Sequence, residues 1–166
     1  MSYIELEAEA LAAKYGTRDP FEIARQEGIA VYFRDDFTKL KGMYKVILRR
    51  RCVFINAGLT QEEMRYICAH ELGHDKLHRA ATAKAGLCDF VMFDVKNKLE
   101  YEANLFAAHL LIDDRQVSHA AVNGLTAGEL AASLGVPESL VTIKASNYEK
   151  RRQHHAPREL KKPSYT

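Results

Sequence analysis

The sequence predicts an α+β domain in which a small antiparallel sheet packs against one long helix and further helices complete a compact fold. Three observations lead to this prediction. The chain of 166 residues suits one domain with a single core. Its 47% apolar and 28% charged residues are typical of globular rather than disordered proteins. Short runs of β-branched and aromatic residues lie in the first third of the chain, and stretches with apolar residues at the helical period flank them.

The first third of the chain predicts two helices and three strands. Residues 4–15 place apolar side chains loosely on one side of a helix that Gly16 ends. Asp19 and Pro20 open a second short helix as N-cap and first helical residue, and this helix ends near Gly28. Strands are predicted at residues 29–33, 42–47 and 51–56.

The next helix carries the sequence His70-Glu71-Leu72-Gly73-His74, an H-E-x-x-H pattern. Thr60 and Glu63 form a capping box that begins this helix. Residues four apart lie one turn apart on the same helix face, so the two histidines can bind one metal ion. Glu71 then lies beside the open coordination position, where it can act as general base on a water that attacks a carbonyl. This is the arrangement of the zincin metalloproteases.

A catalytic zinc site needs a third protein ligand besides the two histidines. The helix that begins near Asn97 places Glu100 and Asn104 on one face together with small alanines. If this face packs on the motif helix, Glu100 reaches the metal, and Asn104 hydrogen-bonds the free nitrogen of a ligand histidine. Glu102 points to the opposite side and is the alternative ligand. His78 lies too far along the motif helix to share the ion, since each turn advances about 5.4 Å, and is expected to support a ligand or the fold.

The connection between these two helices, residues 79–98, is long for a compact domain. Within it, Phe90 to Asp94 is predicted to form an edge strand, a structure that can bind substrate as an added strand but more commonly only packs. A residue that stabilises the oxyanion is also expected. The candidates are Tyr66, Tyr101 and His109, and the sequence does not select one of them.

The two linked motifs resemble the ImmA/IrrE family of metallopeptidases. The matching residues are the H-E-x-x-H sequence with Leu77-His78, then Glu100-x-x-Ala103-Asn104-x-Phe106-Ala107-Ala108, and upstream Asp19-Pro20-Phe21-Glu22-Ile23-Ala24. The resemblance covers roughly Asp19 to Leu111. One departure is Leu111-Ile112-Asp113, where the family often continues from Leu-Leu into Met-Pro. It changes how the helix ends and affects no candidate ligand.

The resemblance implies a zincin-like, gluzincin-type metalloprotease domain. It implies one Zn²⁺ per chain, held by His70, His74 and Glu100, although another divalent ion such as Mn²⁺ would also suit the site. The expected partner is a protein substrate, a helix-turn-helix repressor whose cleavage switches on genes of a phage, a mobile element or a stress response. Two other classes stay open: a metal-stabilised module that binds a repressor without cutting it, and a helix-turn-helix DNA-binding protein.

The C-terminal third contains a second pattern, Leu125 to Val141, that is typical of a helix-turn-helix-like pair with Gly135 at the turn. The second helix, residues 138–149, has few basic residues near its start, where base contacts would be expected. Direct DNA binding is therefore not expected, and docking of a repressor or packing in the core is the favoured role.

The domain is predicted to span residues 1–149, with the helices from about 113 to 149 packed on it. Residues 150–166 are basic and polar, and we expect them to form a disordered tail.

The sequence predicts a cytoplasmic protein with no membrane association. The acidic, amphipathic start lacks the apolar core of a signal peptide, and no apolar run approaches the roughly 18 residues that span a bilayer. Cys52, Cys68 and Cys88 include no C-x-x-C pair, which argues against a disulfide framework. Cys68 is expected to fill apolar space, with redox sensitivity near the metal site as the alternative. The formal charge of +2 is too small to imply nucleic-acid binding.

Overall fold

The computed structural model describes residues 2–84 and 93–155, with the side chains of residues 2–80 and 98–153. Within these ranges the chain forms helices and a small sheet, so the predicted α+β class is confirmed. The elements in chain order are α1 (Tyr3–Tyr15), α2 (Pro20–Gln26), β1 (Ala30–Arg34), β2 (Gly42–Ile47), β3 (Arg50–Asn56), α3 (Gln61–Lys84), α4 (Phe93–Leu111), α5 (Asp114–Val122), α6 (Ala127–Leu134) and α7 (Glu138–His155).

Local capping interactions set the starts of the early helices, as the sequence predicts. The Asp19 side chain accepts a hydrogen bond from the backbone N–H of Phe21 at the start of α2. At the start of α3, the Thr60 hydroxyl accepts from the N–H of Glu63, and the Glu63 carboxylate accepts from the N–H of Thr60. Gly16 ends α1 in the left-handed region, with φ 65°. These ends depend on neighbours a few residues away, which is why sequence patterns locate them.

The sheet is mixed, so the prediction of an antiparallel sheet is wrong. The strand order is β1-β3-β2, and only β2 and β3 run antiparallel. β1 lies parallel to β3, with Ala30 opposite Cys52. A turn of two residues forces β2 and β3 into an antiparallel hairpin. No such turn fixes the direction of β1. It pairs with the side of β3 opposite to β2, and the whole of β2 lies between β1 and β3 in the chain.

The long helix α3 covers one face of the sheet, and a buried ionic cluster links the two. The carboxylate of Asp75, which is fully buried, accepts hydrogen bonds from the Tyr44 hydroxyl at 2.8 Å and from Arg51 and Arg79 at 3.0 Å. These partners lie on β2, on β3 and one turn further along α3. The apolar side chains buried in the core between these elements include Val53, Ile55, Ile67, Ala69 and Leu72.

α4 packs against α3 at very short range, because small residues face each other there. A Cβ atom built on Gly73 would lie 3.1 Å from the Cα atom of Ala103 and 3.2 Å from its carbonyl oxygen. The backbones of the two helices therefore meet at this point. One turn before Ala103, α4 carries Glu100 alongside the motif histidines.

The structure corrects the region before α4. The helix begins at Phe93, about four residues earlier than predicted. Phe93 and Asp94 are therefore helical, and the predicted strand from Phe90 to Asp94 is wrong for these two residues. The rest of that predicted strand lies outside the described residues.

The structure also corrects the expected tail, because α7 continues to His155. Arg151 lies within the predicted tail but forms ion pairs with Glu5 on α1 at 3.1 Å and with Asp114 on α5 at 2.8 Å. Residues 150–155 thus belong to the folded domain, and residues 156–166 lie outside the described part. α6 and α7 flank Gly135, which has a φ of 59°. Their helix-turn-helix-like role stays a prediction.

None of the helices in the described ranges is both long enough and apolar enough to cross a membrane.

Candidate metal centre

The histidines of the H-E-x-x-H sequence and one glutamate from α4 bring three ligand atoms together. The Nε2 atoms of His70 and His74 are 3.1 Å apart. The carboxylate oxygens of Glu100 lie 3.2 Å from Nε2 of His70 and 3.5 Å from Nε2 of His74. Zinc bonds of about 2.0–2.1 Å in tetrahedral geometry place ligand atoms about 3.4 Å apart. The three residues therefore fit a metal ion in both chemistry and spacing.

Hydrogen bonds orient the ring of His70. Its Nδ1 lies 2.9 Å from the side-chain oxygen of Asn104 on α4. An amide oxygen can only accept, so Nδ1 carries a proton, and in the neutral ring Nε2 then keeps its lone pair. The Tyr66 hydroxyl donates to the same oxygen at 2.9 Å. Burial opposes protonation of His70, but its hydrogen bond to Glu100 and the adjacent Glu71 charge raise its pKa above the usual value.

The second histidine has a different electrostatic environment. Burial, and then the neighbouring His70, lower the pKa of His74 to about 4. The ring of His74 is therefore neutral near pH 7, and a neutral imidazole is the form that binds a metal.

Glu71 is buried beside these ligands, with 5% of its surface exposed. Burial raises the pKa of its carboxyl to about 7. Gly42 on β2 makes room for this carboxyl, because a Cβ atom there would lie 3.1 Å from Oε1 of Glu71 and would clash with Ile67. A glycine inside a strand often marks such a close approach. Gly42 was therefore the feature of the sequence that could have indicated that β2 borders the site.

The structure separates the two glutamates that compete for the metal. Glu102 lies away from the ligand atoms and contacts His78, with its Oε2 atom 2.9 Å from Nε2 of the ring. Nδ1 of His78 lies 3.1 Å from Nδ1 of His74. Glu100 therefore faces the two motif histidines, whereas Glu102 and His78 lie behind them.

The remaining predicted candidates are spread over the molecule. Tyr66 lines the cleft at the ligand cluster. Tyr101 is 53% exposed and does not line that cleft, and His109 is buried elsewhere beside Lys144. Of the three oxyanion candidates, the structure thus places only Tyr66 at the site, and its role stays a prediction. Cys68 is fully buried, and burial raises the pKa of its thiol, which disfavours the reactive thiolate form.

An open cleft of about 720 Å³ leads to the ligand cluster. One wall is formed by residues 40–44, which include the start of β2. β2 is an edge strand, since its described hydrogen-bonded neighbour is β3 alone. The opposite side contains Tyr66, the two motif histidines, Glu100 and Asn104. An extended peptide could therefore lie along β2 and pass over the candidate metal position.

A second group of side chains, Glu9, His109 and Asp114, also has metal-like spacing. The ammonium of Lys144 lies 3.4 Å from Glu9, 2.9 Å from Nδ1 of His109 and 2.8 Å from Asp114. This fully buried cation already fills the position that an ion would take. The group joins α1, α4, α5 and α7, and we assign it a structural role.

Comparison with known proteins identifies the family of the chain. The model of the IrrE N-terminal-like domain, peptidase family M78, matches residues 24–146. The chain belongs to the ImmA/IrrE family of metallopeptidases. The matched segment contains the H-E-x-x-H helix, the cleft wall on β2 and the α4 face that carries Glu100.

Two relatives align with most of this ImmA/IrrE family chain. The immunity region protein 2 of Bacillus phage phi105, described as uncharacterized, is 35% identical over 141 residues, which cover 85% of this chain and 88% of the relative. The metallopeptidase ImmA of Bacillus subtilis strain 168 is 28% identical over 148 residues, which cover 86% and 84% of the two chains.

A solved structure shares the fold. It is described as a Mycobacterium tuberculosis transcriptional regulator and has a TM-score of 0.64 at 17% sequence identity. The similarity covers 87% of this chain and 47% of that chain, so the present chain spans about half of the longer protein.

Proposed function

We propose that this ImmA/IrrE family member is a zinc-dependent endopeptidase that cleaves a helix-turn-helix repressor. The observation that carries the proposal is the convergence of His70, His74 and Glu100, whose ligand atoms lie 3.1–3.5 Å apart, with the buried Glu71 next to them. This arrangement supplies three metal ligands and one general base, which a hydrolytic site requires.

Two imidazoles and one carboxylate suit one Zn²⁺ per chain, and Mn²⁺ is the alternative. The bound ion would act as a Lewis acid that polarises the scissile carbonyl and lowers the pKa of water to about 7. Glu71 takes the proton from the attacking water and returns it to the leaving amine nitrogen. In the metal-free chain, burial raises the pKa of this carboxyl, which favours the form that takes up a proton. Asn104 keeps the Nδ1 proton on His70, so that Nε2 faces the ion.

The edge strand β2 supports a peptide rather than a small molecule as substrate. An extended segment can pair with the free edge of a strand through backbone hydrogen bonds. Residues 42–44 of this strand, with residues 40 and 41 just before it, line the same cleft as Glu71. From the sequence, an edge strand at Phe90 to Asp94 could bind substrate in this way, although packing was its favoured role; β2 offers such an edge beside the candidate metal position.

The choice of a repressor rests on the family and its relatives. One relative is named an immunity region protein of a phage and another a metallopeptidase, so we infer the role of a protease that relieves repression in a phage, a mobile element or a stress response. A DNA-binding target places the reaction in the cytoplasm.

The alternative function of direct DNA binding is not favoured by α7. Lys144 is the first basic residue of this helix, and it is fully buried. The amino-terminal half of α7, whose side chains the structure describes, therefore offers no exposed cation for base or phosphate contacts.

The decisive experiment compares the wild-type protein with Glu71→Gln. Each would be mixed with a candidate helix-turn-helix repressor, and both zinc content and cleavage would be measured. We expect zinc in both proteins and a loss of about 10²–10⁴-fold in the cleavage rate of Glu71→Gln, the usual contribution of a general base. A chelator should stop cleavage by the wild type.

Glu62→Gln is a matched control, because Glu62 is an exposed residue of the same helix outside the cleft. Cleavage that survives in Glu71→Gln would overturn the assignment of the base. Zinc in both proteins with tight repressor binding and no cleavage would favour the module that binds without cutting.

A further inference from the structure

A run of hydrogen bonds connects the second motif histidine to a carboxylate on α4. Nδ1 of His74 lies 3.1 Å from Nδ1 of His78, and Nε2 of His78 lies 2.9 Å from Glu102. The His78 side chain is only 4% exposed, so solvent has little access to its ring, whereas the Glu102 side chain is 24% exposed. The sequence suggests Glu102 only as an alternative ligand, but the structure places it behind the site.

The positions of the protons in this run follow from the metal site, on which this inference rests. His74 can bind an ion through Nε2 only if that nitrogen keeps its lone pair, so the proton of the neutral ring must be on Nδ1. Nδ1 of His74 then donates to Nδ1 of His78, which must accept. The proton of His78 is therefore on Nε2 and is donated to Glu102. We propose that Glu102 acts through His78 as a positioning residue that fixes His74 in its metal-binding tautomer.

The opposite arrangement of protons would block the site. Nδ1 of His78 would donate to His74, and the proton of His74 would move to Nε2, where it points at the metal position. Nε2 of His78 would then be an acceptor 2.9 Å from the Glu102 carboxylate. Two acceptors at that distance repel each other, and a buried polar group without its hydrogen bond costs about 1–3 kcal/mol. While His78 is neutral, the carboxylate therefore disfavours the blocked state.

The same principle applies to the first histidine, with a different acceptor. The Asn104 oxygen holds the proton on Nδ1 of His70, as described above. Both acceptors lie on α4, and so does Glu100. Helix α4 would thus supply a ligand and fix the tautomers of both histidines. Asn104 acts on His70 directly, whereas Glu102 acts on His74 through His78, which lies one turn after His74 on α3.

Zinc affinity of the full chain tests this proposal and does not require cleavage. Competition with a chromogenic chelator would be measured for wild type, Glu102→Leu, Glu102→Gln and His78→Leu. We expect the two leucine variants to bind zinc about 10–100-fold more weakly, the usual effect of removing an outer partner of a ligand histidine. Glu102→Gln should recover part of the affinity, since its amide oxygen can still accept. Lys98→Met is the control, because it removes the 3.7 Å ion pair to Glu102 but keeps the carboxylate.

A double-variant cycle separates this run from general damage to the fold. If Glu102 acts through His78, Glu102→Leu combined with His78→Leu should weaken zinc binding no more than His78→Leu alone. Additive losses would overturn the proposal. Circular dichroism and thermal unfolding of each metal-free variant would identify any that fail to fold.

Nitrogen-15 NMR of the metal-free protein reports the tautomer directly. His74 should carry its proton on Nδ1 in the wild type and shift toward the Nε2-protonated form in Glu102→Leu. If the wild type binds zinc, an unchanged tautomer and an unchanged zinc affinity in Glu102→Leu would contradict this inference but not the proposed function. A wild type that binds no zinc would instead contradict the proposed function.

Discussion

Gly73 shows how one residue controls the distance between two ligand-bearing helices. It lies inside the H-E-x-x-H sequence, where a side chain would press on the backbone of Ala103 at 3.1–3.2 Å. Backbone atoms cannot move aside as the end of a flexible side chain can. A larger residue at this position must therefore push α4, and Glu100 with it, away from the histidines.

We predict that Gly73→Ala lowers both zinc affinity and stability, although alanine is intrinsically the better helix former. Overpacking at a tight contact costs about 1–3 kcal/mol, which exceeds the gain of up to about 1 kcal/mol from helix propensity. Gly128→Ala is the matched control, since a Cβ atom there would lie 3.5 Å from the nearest atom, an ordinary contact. Urea unfolding of the metal-free proteins should show a loss for Gly73→Ala and a small gain for Gly128→Ala. A gain in both variants would mean that the helices can separate freely.

The sequence predicted much of the site at this scale because the information is local. The helical period alone placed Glu100 and Asn104 on one face, and the structure brings both to the motif histidines. The involvement of Gly42 and the contact between His78 and Glu102 were not predicted. Both depend on how separate elements pack, which the spacing of residues within one element does not specify.

At the scale of elements, Asp75 connects the motif helix to the two strands beneath it. Its carboxylate accepts from residues of β2, β3 and α3, and the Tyr44 hydroxyl is one of the donors. Burial, and then the hydrogen bond to Asp75, raise the pKa of Tyr44 far above its usual value, so the hydroxyl keeps its proton. The cluster holds the sheet in register with the helix that carries the histidines.

We predict that Asp75→Ala destabilises the protein by about 3–5 kcal/mol, because it leaves the partly buried Arg51 without its closest carboxylate. Tyr44→Phe should cost only about 1 kcal/mol, since it removes one donor and leaves the ion pairs in place. Chemical denaturation would measure both values. Equal losses in the two variants would show that the charges contribute nothing beyond the tyrosine hydrogen bond.

Elements were predictable where their ends are set by nearby residues. The starts of α2 and α3 are each fixed by a capping residue that hydrogen-bonds to a residue two or three positions away, and the sequence pattern located both starts. The direction of β1 and the length of α7 were predicted wrongly. β1 pairs with a strand about twenty residues away, and Arg151 is held by a partner 146 residues away in sequence. Sequence patterns carry no signal for such distant partners.

At the scale of the whole molecule, Glu27 joins four elements near the end of α2. Its carboxylate accepts from Lys14 and Tyr15 on α1 and from Lys76 on α3, and its backbone carbonyl accepts from Arg51 on β3. Burial by itself raises the pKa of this carboxyl, but the hydrogen bonds from Lys76, Tyr15 and Lys14 outweigh it and lower the pKa to about 2. The charged form is therefore the one that stabilises the fold.

A pKa lowered on folding makes stability dependent on pH in one direction. The contribution of Glu27 is fully present above the unfolded pKa of about 4.5 and is lost as the pH falls toward about 2. We predict that Glu27→Gln is less stable at pH 7 by up to about 3 kcal/mol and loses less stability than the wild type between pH 5 and pH 2. Thermal unfolding across this range, with chelator present, would measure both effects. Parallel stability curves for the two proteins would exclude this carboxylate as a source of acid sensitivity.

The candidate metal ligands lie on two helices, whereas one wall of the cleft belongs to the sheet. Coordination and selectivity are therefore encoded in separate stretches of the chain and can diverge independently. Under the proposed function, residues 38–47 could be exchanged between homologues to change which peptide is cut, with Gly42 retained for Glu71 and Tyr44 for its hydrogen bond to Asp75. Because of this separation, homologues could adapt to changes in the sequence of their substrate through substitutions in the cleft wall alone, with the candidate metal ligands unchanged.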